Sequence, residues 1–125
     1  MESILIVDDS IVIRKAIIKL LKLSGYPADH IQEANDGQQA LTLVRENAYD
    51  LIFSDINMPN MDGIAAMNEI YNIRPDVKVI LASGFNEEEL GGRITGQTPS
   101  GFIRKPYSFN ALEEIFRGVV QANSR

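Results

Sequence analysis

Ile4-Leu5-Ile6-Val7-Asp8-Asp9-Ser10 is four aliphatic residues running without a break into two carboxylates and a hydroxyl. A strand with one wet face would alternate apolar with polar. An unbroken run this short reads instead as a strand covered on both faces, the pattern of a parallel sheet. Three other runs end in the same way. Leu51-Ile52-Phe53-Ser54 stops at Asp55, Val79-Ile80-Leu81-Ala82 at Ser83-Gly84, and Gly101-Phe102-Ile103-Arg104 at Lys105-Pro106. Open α/β sheets bind their ligands outside the carboxyl ends of the strands. The four endings therefore outline one pocket holding three carboxylates (Asp8, Asp9, Asp55), one hydroxyl (Ser83) and one ammonium (Lys105), a set suited to a cation and a phosphoryl group.

Helical periodicity fills the intervals. Ser10 can cap a helix with Ile13, Ile17, Leu20 and Leu21 on one face, and Gly25 can end it. His30 to Ala34 reads as a second strand and Gly37 to Asn47 as a second helix carrying Ala40, Leu41 and Val44. A third helix starts near Gly63, shows Ile64, Met67 and Ile70, and must stop before Pro75. The fourth strand is expected from about Val77 to Ala82. A last helix starts near Ser108, with Leu112, Ile115, Phe116 and Val119 as its buried stripe, and is expected to end near Ala122. Between Gly84 and Gly101, Asn86-Glu87-Glu88-Glu89 is a good helix start, but Gly91, Gly92 and Gly96 follow at about 1 kcal/mol each against alanine. That segment is expected to be a short, weak fourth helix or a loop with one helical turn. Strand and helix alternating five times give an α/β fold: a doubly wound, five-stranded parallel sheet with helices on both faces. The common order 2-1-3-4-5 makes strands one and three neighbours, so that Asp8, Asp9 and Asp55 converge.

A chain of 125 residues is expected to be one domain, 1–125. With no cysteine it has no disulfide or thiolate site, and a reducing compartment is natural. The apolar runs fall short of the roughly 20 residues that span a membrane, and no secretory leader is visible, so a cytoplasmic location is expected. A net charge of −5 argues against direct nucleic-acid binding, which rests on cationic contacts to phosphates.

Taken singly, each pocket motif has a bland explanation as a cap, a turn or a common dipeptide. Taken together at four strand ends, they point to chemistry. Clustered carboxylates in a cleft need protons or a cation, and an all-oxygen donor set suits Mg2+. With the cation bound, the site can accept a phosphoryl group, Lys105 can face it from the other side, and one carboxylate is left as nucleophile.

The joint series Ile6-Val7-Asp8-Asp9-Ser10, Asp36-Gly37, Asp55-Ile56-Asn57-Met58-Pro59, Met61-Asp62-Gly63, Ser83-Gly84 and Lys105-Pro106 resembles the receiver domains of response regulators, in particular the single-domain chemotaxis receivers, over essentially the whole chain. The resemblance implies a flavodoxin-like fold and a phosphoacceptor role for Asp55 in two-component signalling. It implies Mg2+ held by the side chains of Asp9 and Asp55, the backbone carbonyl of Asn57 and, mainly through water, Asp8. Lys105 would contact the acceptor carboxylate and then a phosphoryl oxygen, and the Lys105-Pro106 bond is expected to be cis. Ser83 and Phe102 match the family's hydroxyl and aromatic switch, with the readout on the face of helix four, strand five and helix five. The implied donor is a histidine kinase, a phosphotransfer protein or a small acyl phosphate. The implied state is a monomer or a dimer formed on activation. The domain would assist its own phosphorylation and dephosphorylation without being an enzyme in any further sense. Two departures stand out. Phe102 occupies a position where tyrosine is common, and Phe85 lies two residues past Ser83, where the family tunes dephosphorylation together with Asn57.

A haloacid-dehalogenase-type phosphatase would need an acid two residues after its nucleophile, and Asn57 stands there. A flavodoxin-type nucleotide binder would not place Asp8-Asp9 against the flavin phosphate. A phosphorylation-independent interaction module is the remaining alternative. His30 is expected at the surface, away from the carboxyl edge, and not as a phosphohistidine. Both a complete single-domain regulator and a piece of a larger kinase or regulator are compatible with the sequence.

Overall fold

The computed structural model describes residues 3–57, 61–94 and 96–123, so the Met58-Pro59 pair of the third motif lies outside the described residues. Five strands, β1 (Ile4–Val7), β2 (Ile31–Ala34), β3 (Leu51–Asp55), β4 (Lys78–Ser83) and β5 (Gly101–Arg104), alternate with helices α1 (Ile11–Leu23), α2 (Gly37–Glu46), α3 (Gly63–Ile73), α4 (Glu87–Gly91) and α5 (Phe109–Asn123). The sheet is parallel throughout, in the order β2-β1-β3-β4-β5.

The unbroken apolar runs are explained by two cores. Side chains alternate across the sheet, so Leu5, Val7, Ile52, Val79 and Leu81 pack under α2 and α3. Ile4, Ile6, Leu51, Phe53, Ile80 and Ala82 pack under α1 and α5. Phe53 stacks on Phe116 of α5 at 5.6 Å and meets Tyr107 edge-on at 6.3 Å. Each large aliphatic or aromatic side chain so buried contributes about 1.5–3 kcal/mol.

The helix limits follow local chemistry. Ser10, Asp36 and Asp62 cap α1, α2 and α3 by accepting from the backbone N–H groups of Ile13, Gln39 and Ala65. At the end of α1, Gly25 takes φ +100°, and Gly25 N and Tyr26 N donate to the carbonyls of Lys22 and Leu21. The expected second strand begins one residue later than the sequence reading put it. Ala28–His30 form a 3-10 turn, with His30 N donating to Pro27 O at 3.1 Å. β3 continues through Asp55, so the acidic residue is itself part of the strand. The segment after β4 does form a helix, but of five residues. Asn86 and Glu89 cap each other's backbone reciprocally at its start, and Gly91-Gly92 stop it. Among the described residues no helix is long and apolar enough to cross a membrane.

Candidate phosphoryl and metal site

Strand register assembles the pocket. Val7 pairs with Ser54, and Asp55 pairs with Ala82. Asp8, one step beyond Val7, therefore lies next to Asp55. Ser83 pairs with Arg104, which sets Lys105 one step beyond, and Lys105 N donates to Ser83 O at 2.7 Å. Among the described residues Asp8, Asp9 and Asp55 form a group in which one carboxylate oxygen from each lies within 4.8 Å of the others.

The three acids are not equivalent. Asp8 and Asp55 are buried, whereas Asp9 is exposed. Lys105 Nζ lies 2.8 Å from Asp55 Oδ1, and the same oxygen accepts from Asn57 N at 3.3 Å. The Lys105-Pro106 bond is cis. Asp8 Oδ1 accepts from Ser10 N at 2.8 Å, while its Oδ2 is buried with no hydrogen-bond partner among the described residues. Burial raises the Asp8 carboxyl above its ordinary value; the Ser10 N–H opposes this, and the Asp55 charge adds to it. A buried carboxylate oxygen with no hydrogen-bond partner among the described residues, on an acid grouped with two further carboxylates in an all-oxygen set, fits a hard divalent cation.

This arrangement has a consequence for stability. Well below pH 3.8 Asp8 is protonated in both folded and unfolded chains, and its burial is harmless. As pH rises the unfolded chain ionises first, so the metal-free folded state loses stability until the folded group also ionises, and stays lower above that point. Asp8→Asn keeps the acceptor for Ser10 and removes the charge. In chelator, urea unfolding should show the variant about 1–3 kcal/mol more stable at pH 7. The difference should vanish as pH falls through 3.8. Equal stability at pH 7 would mean that the buried charge carries no penalty.

Ser83 is fully buried, and its Oγ accepts from Phe85 N at 3.0 Å, while its own O–H has no acceptor among the described residues. Phe102 pairs with Leu81, so it shares a sheet face with Ser83 two residues on; it is half-buried against the core beneath α2 and α3. Phe85 stands at the surface under the guanidinium of Arg93, 5.5 Å from its ring centre. The structure thus brings Asp8, Asp9, Asp55, Ser83 and Lys105 together and places Asn57 beside Asp55 through its backbone. Phe102 lies behind the pocket, and His30 lies in the turn before β2, at the opposite edge of the sheet.

Two neighbours of the pocket are not legible in the sequence. Tyr107, two residues past Lys105, has a buried hydroxyl without a partner among the described residues, and burial together with the Asp8 and Asp55 charges pushes its phenol up to about 12. Arg14 donates from Nη1 to Asp8 O at 2.6 Å. Its place one turn after Ser10, among the apolar positions of α1, is the only cue the sequence offers.

The chain matches the family model described as response regulator receiver domain over residues 4–117. It is 33% identical over 111 residues to the chemotaxis protein CheY of Bacillus subtilis, covering 89% of this chain and 91% of that protein. It is 31% identical over 121 residues to the sensor kinase CckA of Brucella abortus, covering 95% of this chain but only 12% of the kinase. Its fold superposes on the chemotaxis regulator CheY4 of Vibrio cholerae with a TM-score of 0.82 at 27% identity, covering 95% and 98% of the two chains.

Proposed function

The chain belongs to the response regulator receiver family, whose members work with histidine kinases in two-component signalling, and from that premise we propose that Asp55 is its phosphoacceptor. The observation that carries the assignment is the 2.8 Å ion pair between Lys105 Nζ and Asp55 Oδ1 inside a group of three carboxylates. An Asp55 oxygen attacks the donor phosphorus, the donor's P–N or P–O bond breaks, and its electron pair leaves with the donor. Asp9, Asp55 and the carbonyl of Asn57 would hold Mg2+ directly, and Asp8 would hold it chiefly through water. Bound there, Mg2+ would neutralise the charge developing on the phosphoryl oxygens. Lys105 holds the acceptor carboxylate before transfer and a phosphoryl oxygen after it. The domain in this way assists its own phosphorylation and dephosphorylation.

Phosphorylation adds close to two negative charges and three acceptor oxygens at Asp55. The Ser83 hydroxyl, which has no acceptor among the described residues, donates to one of them, and the space it vacates admits the Phe102 ring from the same sheet face. The readout we propose is the face of α4, β5 and α5. An open groove of about 850 Å³ there is lined by Asn86, Phe102, Arg104, Tyr107 and Ile115, among others. Residues 1–125 would act as one domain in the cytoplasm, with a histidine kinase, a phosphotransfer protein or a small acyl phosphate as donor.

The test is intact mass after incubation with acetyl phosphate, with and without Mg2+. A gain of one phosphoryl group that needs Mg2+ and is removed by hydroxylamine is expected. No gain, under conditions that label another receiver, overturns the reading.

A further inference from the structure

Arg14 reaches the acidic pocket from behind. It sits in the first turn of α1, and its side chain is only 13% exposed, rare for an arginine. Its Nε donates to Glu33 Oε1 at 2.9 Å, and its Nη1 donates to the carbonyl of Asp8 at 2.6 Å. Glu33 belongs to β2, where it pairs with Ile6, and its second oxygen accepts from Lys15 Nζ at 2.7 Å. Burial acts to raise the Glu33 carboxyl, but the hydrogen bonds from Lys15 and Arg14 outweigh it and hold the group below its ordinary value. Glu33 is therefore a fixed anion at neutral pH, and it anchors one edge of the guanidinium.

The other edge of the guanidinium fixes a peptide plane. Asp8 N already donates to Ala34 O at 3.1 Å, which ties the plane before Asp8 to β2. The bond from Arg14 ties the plane after it, and a trans peptide is rigid, so the Asp9 N–H turns with the Asp8 carbonyl. With both planes held, neither soft dihedral of Asp8 is free, so the Cα–Cβ direction of Asp8 and the position of the Asp9 Cα are set, and the Ser10 N–H bond to Oδ1 turns the Asp8 carboxylate. We propose that Arg14, anchored by Glu33, is a positioning residue that holds the Asp8-Asp9 turn in the geometry a divalent cation requires. The inference rests on the phosphoacceptor reading of the same pocket, since it assigns the cation to these acids.

Simple electrostatics makes the opposite forecast. A cation behind the turn repels Mg2+, so removing it should tighten binding. The Glu33 carboxylate at 2.9 Å largely cancels that repulsion, which leaves positioning as the larger effect. Residues that orient metal ligands are commonly worth about 10- to 100-fold in affinity.

The experiment is a calorimetric Mg2+ titration at constant ionic strength of the parent chain, Arg14→Met and Arg14→Lys, beside their melting temperatures in chelator. Arg14→Met keeps the apolar stem and loses every donor, and about tenfold weaker Mg2+ binding is expected at a temperature where it is fully folded. Arg14→Lys keeps the charge, but one ammonium cannot span both the carbonyl and Glu33, so binding several-fold weaker than the parent's and tighter than that of Arg14→Met is expected. Should Arg14→Met fail to fold, the lysine variant decides alone. Electrostatics requires it to bind as the parent does, and positioning requires it to bind more weakly. Parent-like or tighter binding in the folded variants, whatever their melting temperatures, overturns the proposal and leaves Arg14 a purely structural ion pair. A parent chain that takes up phosphoryl groups and Mg2+ while its variants bind equally well leaves the phosphoacceptor reading standing. A parent chain that binds no Mg2+ overturns both.

Discussion

Asp55→Asn should abolish the Mg2+-dependent phosphoryl gain completely. The pocket holds two other carboxylates, so the result is not trivial, and the geometry decides between them. Asp8 directs Oδ1 to the Ser10 N–H and sits at the end of β1, whereas Asp55 has its Oδ1 against the Lys105 ammonium at 2.8 Å. That ammonium is placed to hold a transferred phosphoryl oxygen beside Asp55. An amide at position 55 is isosteric but lacks the anionic oxygen that attacks phosphorus. It also loses the charge that pairs with Lys105. Intact mass of the parent and the variant, side by side with acetyl phosphate and Mg2+, is the measurement. A phosphoryl gain of parental size in Asp55→Asn would move the nucleophile to Asp8 or Asp9, while unchanged melting in chelator would show that the fold had been kept.

Among the described glycines Gly63→Ala should be the most damaging, although the position is the first residue of a helix. Alanine in place of glycine in a helix is ordinarily favourable by up to about 1 kcal/mol. Here a Cβ would press into the carbonyl oxygen of Asp55 and come within 2.7 Å of Ile56 Cα. Those are backbone atoms at the end of β3 and one residue beyond it, and they cannot swing aside as a side chain could. Gly63 N also donates to Ile56 O at 2.8 Å, a bond that a retreating helix would lose. Overpacking of this kind typically costs about 3 kcal/mol at its upper end, well above the propensity gain. A fall in melting temperature of about 10 °C is expected. Because the relief must come from moving α3 or the end of β3, phosphoryl uptake by the folded fraction should slow as well. Calorimetry and labelling rates measure the two effects separately. A variant as stable as the parent would show that the close approach at Gly63 is easily relaxed.

The four strand endings, the Ser10 cap and the Gly25 stop were legible because their causes are local, whereas the caps at Asp36 and Asp62 were not read. An apolar run covered on both faces, a hydroxyl three residues before a free N–H, and a glycine where φ must be positive all act within one or two turns of chain. For the same reason Asn86 and Gly91-Gly92 marked the limits of the helical segment after β4, although the sequence left a short helix and a loop with one helical turn equally open, and the structure gives five helical residues. The 3-10 turn at Ala28–His30 was missed, since the tripeptide Ala-Asp-His carries no apolar periodicity and its first bond depends on Pro27 O.

By itself the sequence determined that Asp8, Asp9, Asp55, Ser83 and Lys105 form a set, since each stands at a strand end wherever the strands are placed. It could not determine that Arg14 and Glu33, nineteen residues apart, would lock the Asp8 carbonyl. Nor could it show that Gly63 would lie against Asp55, or that the Tyr107 hydroxyl would be buried near the acids. Those facts depend on strand register and on how closely helices approach the sheet. Both are settled only when the two cores close around the strands, because each such contact joins segments whose separation in sequence says nothing about their distance in space.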